Sequence, residues 1–138
     1  MIGGNLDKSV VKNCIRDMML FDKIVTFYGA RFDLPFLRTR ALVHKIKFPG
    51  YGEQRHIDVY FIARGKLRLN SNRLEVVART ILGETQKTKI EYKHWLRGTQ
   101  GNKRSLAYIL DHNKRDVLDL EKVYNVLIGF KRQTNTSI

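Results

Sequence analysis

Six residues from Lys23 to Tyr28 do most to limit what this chain can fold into. Lys23-Ile24-Val25-Thr26-Phe27-Tyr28 is short, β-branched and aromatic, the composition of a buried strand, and Gly29 ends it. Before it, Val10, Val11, Cys14, Ile15, Met18 and Met19 recur near the helical period, predicting a helix over 7–20 with Asp7 or Ser9 at its cap. After it, a second helix is predicted over 32–46, with Pro35 in the first turn, where a missing N–H does no harm. Pro49-Gly50-Tyr51-Gly52 reads as a turn, and 56–61 as another short strand running into a helical turn. Strands alternating with helices point to an α/β fold with parallel pairing.

The second half has no strand pattern. Residues 64–72 are basic and read as irregular. A helix is predicted over 72–83, with Asn72 as cap and Gly83 as stop. Residues 84–102 are mostly polar and read as a loop. A last helical region runs from Ser105 to about Phe130 with a break near Asp111-His112-Asn113, and the tail 134–138 reads as frayed. There is no internal repeat and no Pro-rich linker, and 138 residues fit one domain spanning 1–138.

Composition narrows the partners. An apolar share of 43% is too high for a disordered tail, and no apolar run nears the ~20 residues that cross a bilayer. Residues 1–7 have neither the basic nor the apolar part of a signal peptide, and the lone Cys14, read as a core residue of the first helix, can form no internal disulfide. The expectation is a cytoplasmic domain with no membrane partner. Its charge is +13, from 26 Lys and Arg against 13 acids, which favours a polyanion, DNA or RNA first. Residues 64–104 hold eleven basic residues and three acids, Glu75, Glu84 and Glu91. Arg31, Arg38, Arg64, Lys66, Arg68 and Arg73 are the candidate backbone contacts. Trp95, between His94 and Arg97, reads as packing, with base stacking as the alternative; His44, His56 and His94 have no metal-ligand spacing.

Two acids stand out by position. Asp33 follows the first strand at the mouth of a helix, where α/β sheets place ligands, although it also reads as that helix's N-cap. Asp116 shares a helical face with His112, four residues earlier, although it also reads as a solvated acid on a charged helix.

Tyr28-Gly29-Ala30-Arg31-Phe32-Asp33-Leu34-Pro35-Phe36-Leu37-Arg38-Thr39-Arg40 resembles the second motif of the ribonuclease H-like DEDD 3′–5′ exonucleases, in particular the YprB-type branch related to family B polymerase proofreading domains. His56-Ile57-Asp58-Val59, Leu67-Arg68-Leu69, Arg73-Leu74-Glu75 and Leu82-Gly83 resemble that branch's middle region, and His112-Asn113-Lys114-Arg115-Asp116-Val117-Leu118-Asp119-Leu120 resembles its third motif. The resemblance implies a ribonuclease H-like fold and a phosphodiesterase using two Mg²⁺ or Mn²⁺ ions held by four acids. Asp33 and Asp116 match two of those metal-binding acids, and His112 matches the residue that orients or deprotonates the attacking water. Asp58 matches an acid that is structural more often than catalytic.

The family's first motif, Asp-x-Glu, has no match in the 23 residues before Ile24. The only Asp-x-Glu is Asp119-Leu120-Glu121, and residues two apart on a helix face different sides. Tyr28 stands where relatives usually carry Asn. The resemblance therefore implies an N-terminally truncated sheet and a metal-dependent exonuclease-like domain that is weak or inactive as this chain alone. The alternatives are an inactive nucleic-acid-binding module of the same fold and an endonuclease built on it. The open edge of the first strand invites a second copy or a partner chain to complete the sheet.

Overall fold

A computed structural model describes residues 5–85 and 89–132. They fall into two compact units, Met1–Phe61 with Lys131–Ile138, and Ile62–Phe130. The tail 134–138 lies outside the described residues.

In the first unit, a 3₁₀ turn at Asn5–Asp7 leads into α1, Lys8–Met18. Val11 and Ile15, one turn apart, are buried with Ala41, and Leu37, Ile46 and Phe48 pack around them. Each fully buried side chain of that kind contributes about 1.5–3 kcal/mol. Asp7 precedes the helix without capping it. Its carboxylate instead accepts two bonds of 2.6 Å from the Arg40 guanidinium and sits 2.7 Å from His44 Nε2. The Arg40 and His44 bonds hold the Asp7 carboxyl well below the usual carboxylate range. Cys14 is exposed rather than in the core, because it lies beside the Val11–Ile15 stripe and not on it. Its thiol is pushed up by burial and by the charge of Asp17, so it is a weak nucleophile.

Strand β1, Lys23–Thr26, pairs in parallel with β2, Arg55–Asp58, in the register Lys23↔Arg55 to Thr26↔Asp58. A parallel pair needs a crossover, and α2, Asp33–Val43, lies in it. The diagonal pair Thr26 Oγ1 and His56 Nε2 lies 2.8 Å apart across the two strands. Gln54 Nε2 donates to the Met18 and Phe21 carbonyls at 2.8 and 3.0 Å, tying the residue before β2 to the end of α1. Among the described residues the sheet has these two strands only, which agrees with a short parallel sheet flanked by helices.

The short strand expected over 56–61 runs into a helical turn as its sequence suggested, the strand ending at Asp58. Asp58 Oδ1 accepts the Tyr60 N–H at 3.1 Å, and that cap turns the chain into α3, Val59–Lys66.

In the second unit, α4 covers Leu74–Leu82, α5 Tyr92–Thr99 and α6 Lys103–Leu127, with a 3₁₀ turn at Ile128–Phe130. Gly83 ends α4 at φ +78, as its position suggested. The N-cap is Arg73 rather than Asn72, and no side chain caps that end. Two expectations fail here. The polar stretch 84–102 contains α5, and α6 runs unbroken through Asp111-His112-Asn113. Asn113 and its polar neighbours are tolerated within α6 because that helix is held by other faces, on which Val123 and Leu127 are buried and α4 and α5 pack. Asn102 caps α6 by accepting the Ser105 N–H at 3.0 Å. Among the described residues no helix is long and apolar enough to cross a membrane.

Candidate active site

The loop from Thr26 to Asp33 is bent by three local features. Gly29 must be glycine, since a Cβ there would stand 2.5 Å from Thr26 Cβ. Tyr28 adopts φ +66, a left-handed conformation that costs a non-glycine residue about 1–3 kcal/mol. Asp58, paired with Thr26 across the sheet, holds that backbone. Its carboxylate accepts the Tyr28 N–H at 2.7 Å and the Ala30 N–H at 3.0 Å, besides the Tyr60 cap. The Tyr28 ring meets Tyr60 edge-on at 4.6 Å and stacks with Phe61 at 6.3 Å. Asp58 is thus a brace for the loop, with its oxygens occupied by backbone N–H groups.

The loop delivers Asp33 to the first position of α2. The N-cap is Phe32, and no side chain makes a cap bond there, so Asp33 is not the cap. Asp33 is exposed and lines a cleft of about 570 Å³ with Cys14, Met18, Ile24, Leu34 and Phe36. The rest of that wall is mostly apolar.

The other candidates sit on α6. His112 is buried, and its Nδ1–H donates to the Tyr108 carbonyl at 2.8 Å. A neutral ring with its proton on Nδ1 carries the basic electron pair on Nε2. The ring is one end of a column: Tyr108 lies 4.2 Å from His112, and His94 of α5 stacks on Tyr108 at 4.1 Å. His94 Nδ1 is 3.3 Å from Ser105 Oγ. Asp116, half-buried, follows His112 by one turn and shares its face. Asp119 is buried and accepts a 2.8 Å bond from Thr85, whereas Glu121 is exposed, so the only Asp-x-Glu is split between inside and outside.

The structure therefore joins Asp58 to the loop that carries Asp33, and places His112 and Asp116 on one helical face of the other unit. Among the described residues, no three His, Cys, Asp or Glu side chains converge as a cation site. Mg²⁺ takes about six oxygens in octahedral array and a two-metal centre shares several carboxylates, so the residues present do not fit a complete centre.

Of the candidate backbone contacts, Arg31, Arg64, Lys66, Arg68 and Arg73 are exposed. Arg38 is half-buried, with its guanidinium over the Phe48 ring at 5.1 Å. His44 and His56 are buried in packed positions; burial, with a smaller push from Lys131, drives the His56 pKa down against the opposing charge of Asp58. The helix α5, with His94 and Trp95, was missed. Its signal was there, since Tyr92, Trp95, Leu96 and Thr99 follow helical spacing.

Compared with known proteins, the chain matches the RNase_H superfamily over residues 3–128. It is also 30% identical over 105 residues to a protein of Methanocaldococcus jannaschii described as a DNA polymerase. That stretch covers 62% of this chain and 6% of the polymerase, so the chain corresponds to a small part of that protein.

Proposed function

We propose that this chain, which belongs to the RNase_H superfamily, is an exonuclease-like domain that binds nucleic acid and, alone, has weak or no catalysis. The observation that carries this reading is the loop after β1. A brace of three backbone hydrogen bonds to Asp58 and an obligatory Gly29 fix a left-handed turn, and they present Asp33 at the carboxyl end of a parallel strand. His112 supports it by its motif: it matches the residue that orients or deprotonates the attacking water, and its ring is oriented by the Nδ1–H bond to the Tyr108 carbonyl. Asp116 is the acid one turn away. The order of the motifs favours the YprB-type branch of 3′–5′ exonucleases, and the +13 charge favours DNA or RNA as partner.

The incomplete donor set favours binding over turnover. A second reading, a working Mg²⁺- or Mn²⁺-dependent exonuclease, draws on one observation, that Asp33 stands exposed at a helix start without serving as its cap. One experiment separates the two. End-labelled single-stranded and duplex DNA and RNA are incubated with Mn²⁺ and the parent or Asp116→Asn, and binding is recorded in EDTA at low and moderate salt. The expected result is salt-sensitive binding, equal in both proteins, with no shortening of the label. Stepwise shortening that Asp116→Asn abolishes would make the chain a nuclease. Absence of binding at low salt would remove the nucleic-acid partner altogether.

A further inference from the structure

Helix α1 carries a row of cations that does nothing for the helix itself. Lys8, Lys12 and Arg16 follow at intervals of four residues, so they stand in one line along it. All three are exposed. Like charges at that spacing repel, and Lys8 adds a cation to the first turn, where the helix dipole is already positive. No acid in the first turn offsets it. Asp7, just before the helix, turns its carboxylate onto Arg40 and His44 instead. Asp17, the one acid within α1, lines the cleft with Cys14 and Met18 and accepts from Arg16 Nε and Nη2 at 2.9 and 2.8 Å. Among the described residues neither Lys8 nor Lys12 makes an ion pair. The next column of the helix is Ser9 and Asn13, exposed, polar and uncharged.

The chemistry of this flank specifies its partner. Val11 and Ile15, the apolar stripe of α1, are buried in the core, so the face that would enter a bilayer is already inside the protein. A second copy of a +13 chain is repelled. An extended polyanion is what the row fits. Successive cations lie about 6 Å apart along the helix axis. Phosphates along one strand of a duplex lie about 3.4 Å apart, so the row meets every second phosphate within the reach of a flexible lysine. Lys and Arg bind the phosphate oxygens, and Ser and Asn side chains beside them donate hydrogen bonds to the same backbone.

We propose that the flank of α1 formed by Lys8, Lys12 and Arg16, with Ser9 and Asn13 beside them, is a contact for the phosphate backbone of nucleic acid. The choice of nucleic acid among polyanions rests on the reading of the chain as a nucleic-acid-binding domain; the row itself uses none of Asp33, His112 or Asp116. A contact made to phosphate alone grips DNA and RNA without regard to sequence.

The whole chain is titrated in EDTA against labelled duplex and single-stranded oligonucleotides of mixed sequence, followed by anisotropy over a series of salt concentrations. On duplex, Lys8→Gln and Lys12→Gln should each lower the slope of log affinity against log salt by about one, and each weaken binding about tenfold at a fixed moderate salt. The double variant should show both losses. Lys122→Gln, which removes the same charge from an exposed position on α6, should leave the slope unchanged. Asp17→Asn, which releases Arg16, should tighten binding. Urea midpoints of the two lysine variants should hold or rise, because repulsion within α1 is relieved and glutamine suits a helix as lysine does. Binding lost without stability lost is a result that a merely structural row does not give. A double variant with the parent's slope would overturn the contact, while binding by the parent keeps the nucleic-acid reading. A loss in Lys122→Gln equal to that in Lys12→Gln would overturn it too, as an effect of bulk charge. Absence of binding by the parent at low salt would instead remove the nucleic-acid reading, and the contact with it. Polyglutamate that binds the parent more tightly than either oligonucleotide, and loses that binding in the double variant, would assign the row to an acidic protein segment and overturn the phosphate contact.

Discussion

The loop that presents Asp33 and the helix that presents His112 solve the same problem by opposite means. In the loop nothing is regular: a left-handed Tyr28, a glycine with no room for a methyl group, and one carboxylate, Asp58, accepting three backbone N–H groups. On α6 the backbone is an ordinary helix, and the position of His112 comes from its register and from a column of rings contributed by Tyr108 and His94. A centre held by a few directional bonds fails when one acceptor is removed. One held by periodicity and packing loses precision of orientation before it loses its fold.

Asp58→Ala should give the largest effect. Three N–H groups lose a charged acceptor at once, two of them around a strained φ, and unfolding free energy should fall by about 3 kcal/mol. Asp58→Asn, with one acceptor oxygen left, should fall between that and the parent in urea denaturation. If Asp58→Ala unfolds at the parent's urea midpoint, the loop is not held by this brace and the contrast with α6 collapses.

Tyr108→Ala should come next, with about 1–2 kcal/mol lost from ring packing and α6 still helical. Its sharper signature is at His112. Nitrogen-resolved NMR of labelled histidine should show the Nδ1–H form in the parent and in Tyr108→Phe, which keeps the ring. In Tyr108→Ala a mixture with the Nε2–H form should grow in. An unchanged His112 spectrum in Tyr108→Ala would show that the helix alone orients the imidazole.

The smallest effect belongs to pH. Burial lowers the His56 pKa in the folded chain, so the unfolded chain takes up the proton first as pH falls. The stabilisation from a neutral His56 is therefore complete above the ordinary value of about 6.5 and is lost as pH drops below it. Urea midpoints should decline between about pH 7.5 and about pH 5.5, and less in His56→Gln, whose amide can still reach Thr26. An equal decline in both proteins would place the titrating group elsewhere.

Much of the first unit was legible because its signals are local. The β-branched run ending at Gly29 and the apolar spacing of Val11 and Ile15 state their own conformation, and the motif order carries the superfamily. Asp33, His112 and Asp116 were singled out by motif resemblance, but what each does locally was not legible. Asp33 resembled a cap and is not one, because capping depends on backbone angles at Phe32 that no residue type announces. Cys14 resembled a core residue because two neighbouring helical stripes differ by one turn position, and only packing selects between them. Asp7 resembled a cap and instead binds Arg40 and His44, more than thirty residues away in sequence.

The sequence by itself determined the alternation of strand and helix, the stop at Gly83, the basic charge and the separation of Asp119 from Glu121 on a helix. Only the tertiary structure decided which carboxylate is a brace, that residues 92–99 are helical, and that Tyr92 and Trp95 face outward. The physical reason is range. Periodicity, turn chemistry and charge act between neighbours along the chain, whereas the bonds to Asp58 and the approach of Gly98 to Ile109 exist only once segments about ten to thirty residues apart have met.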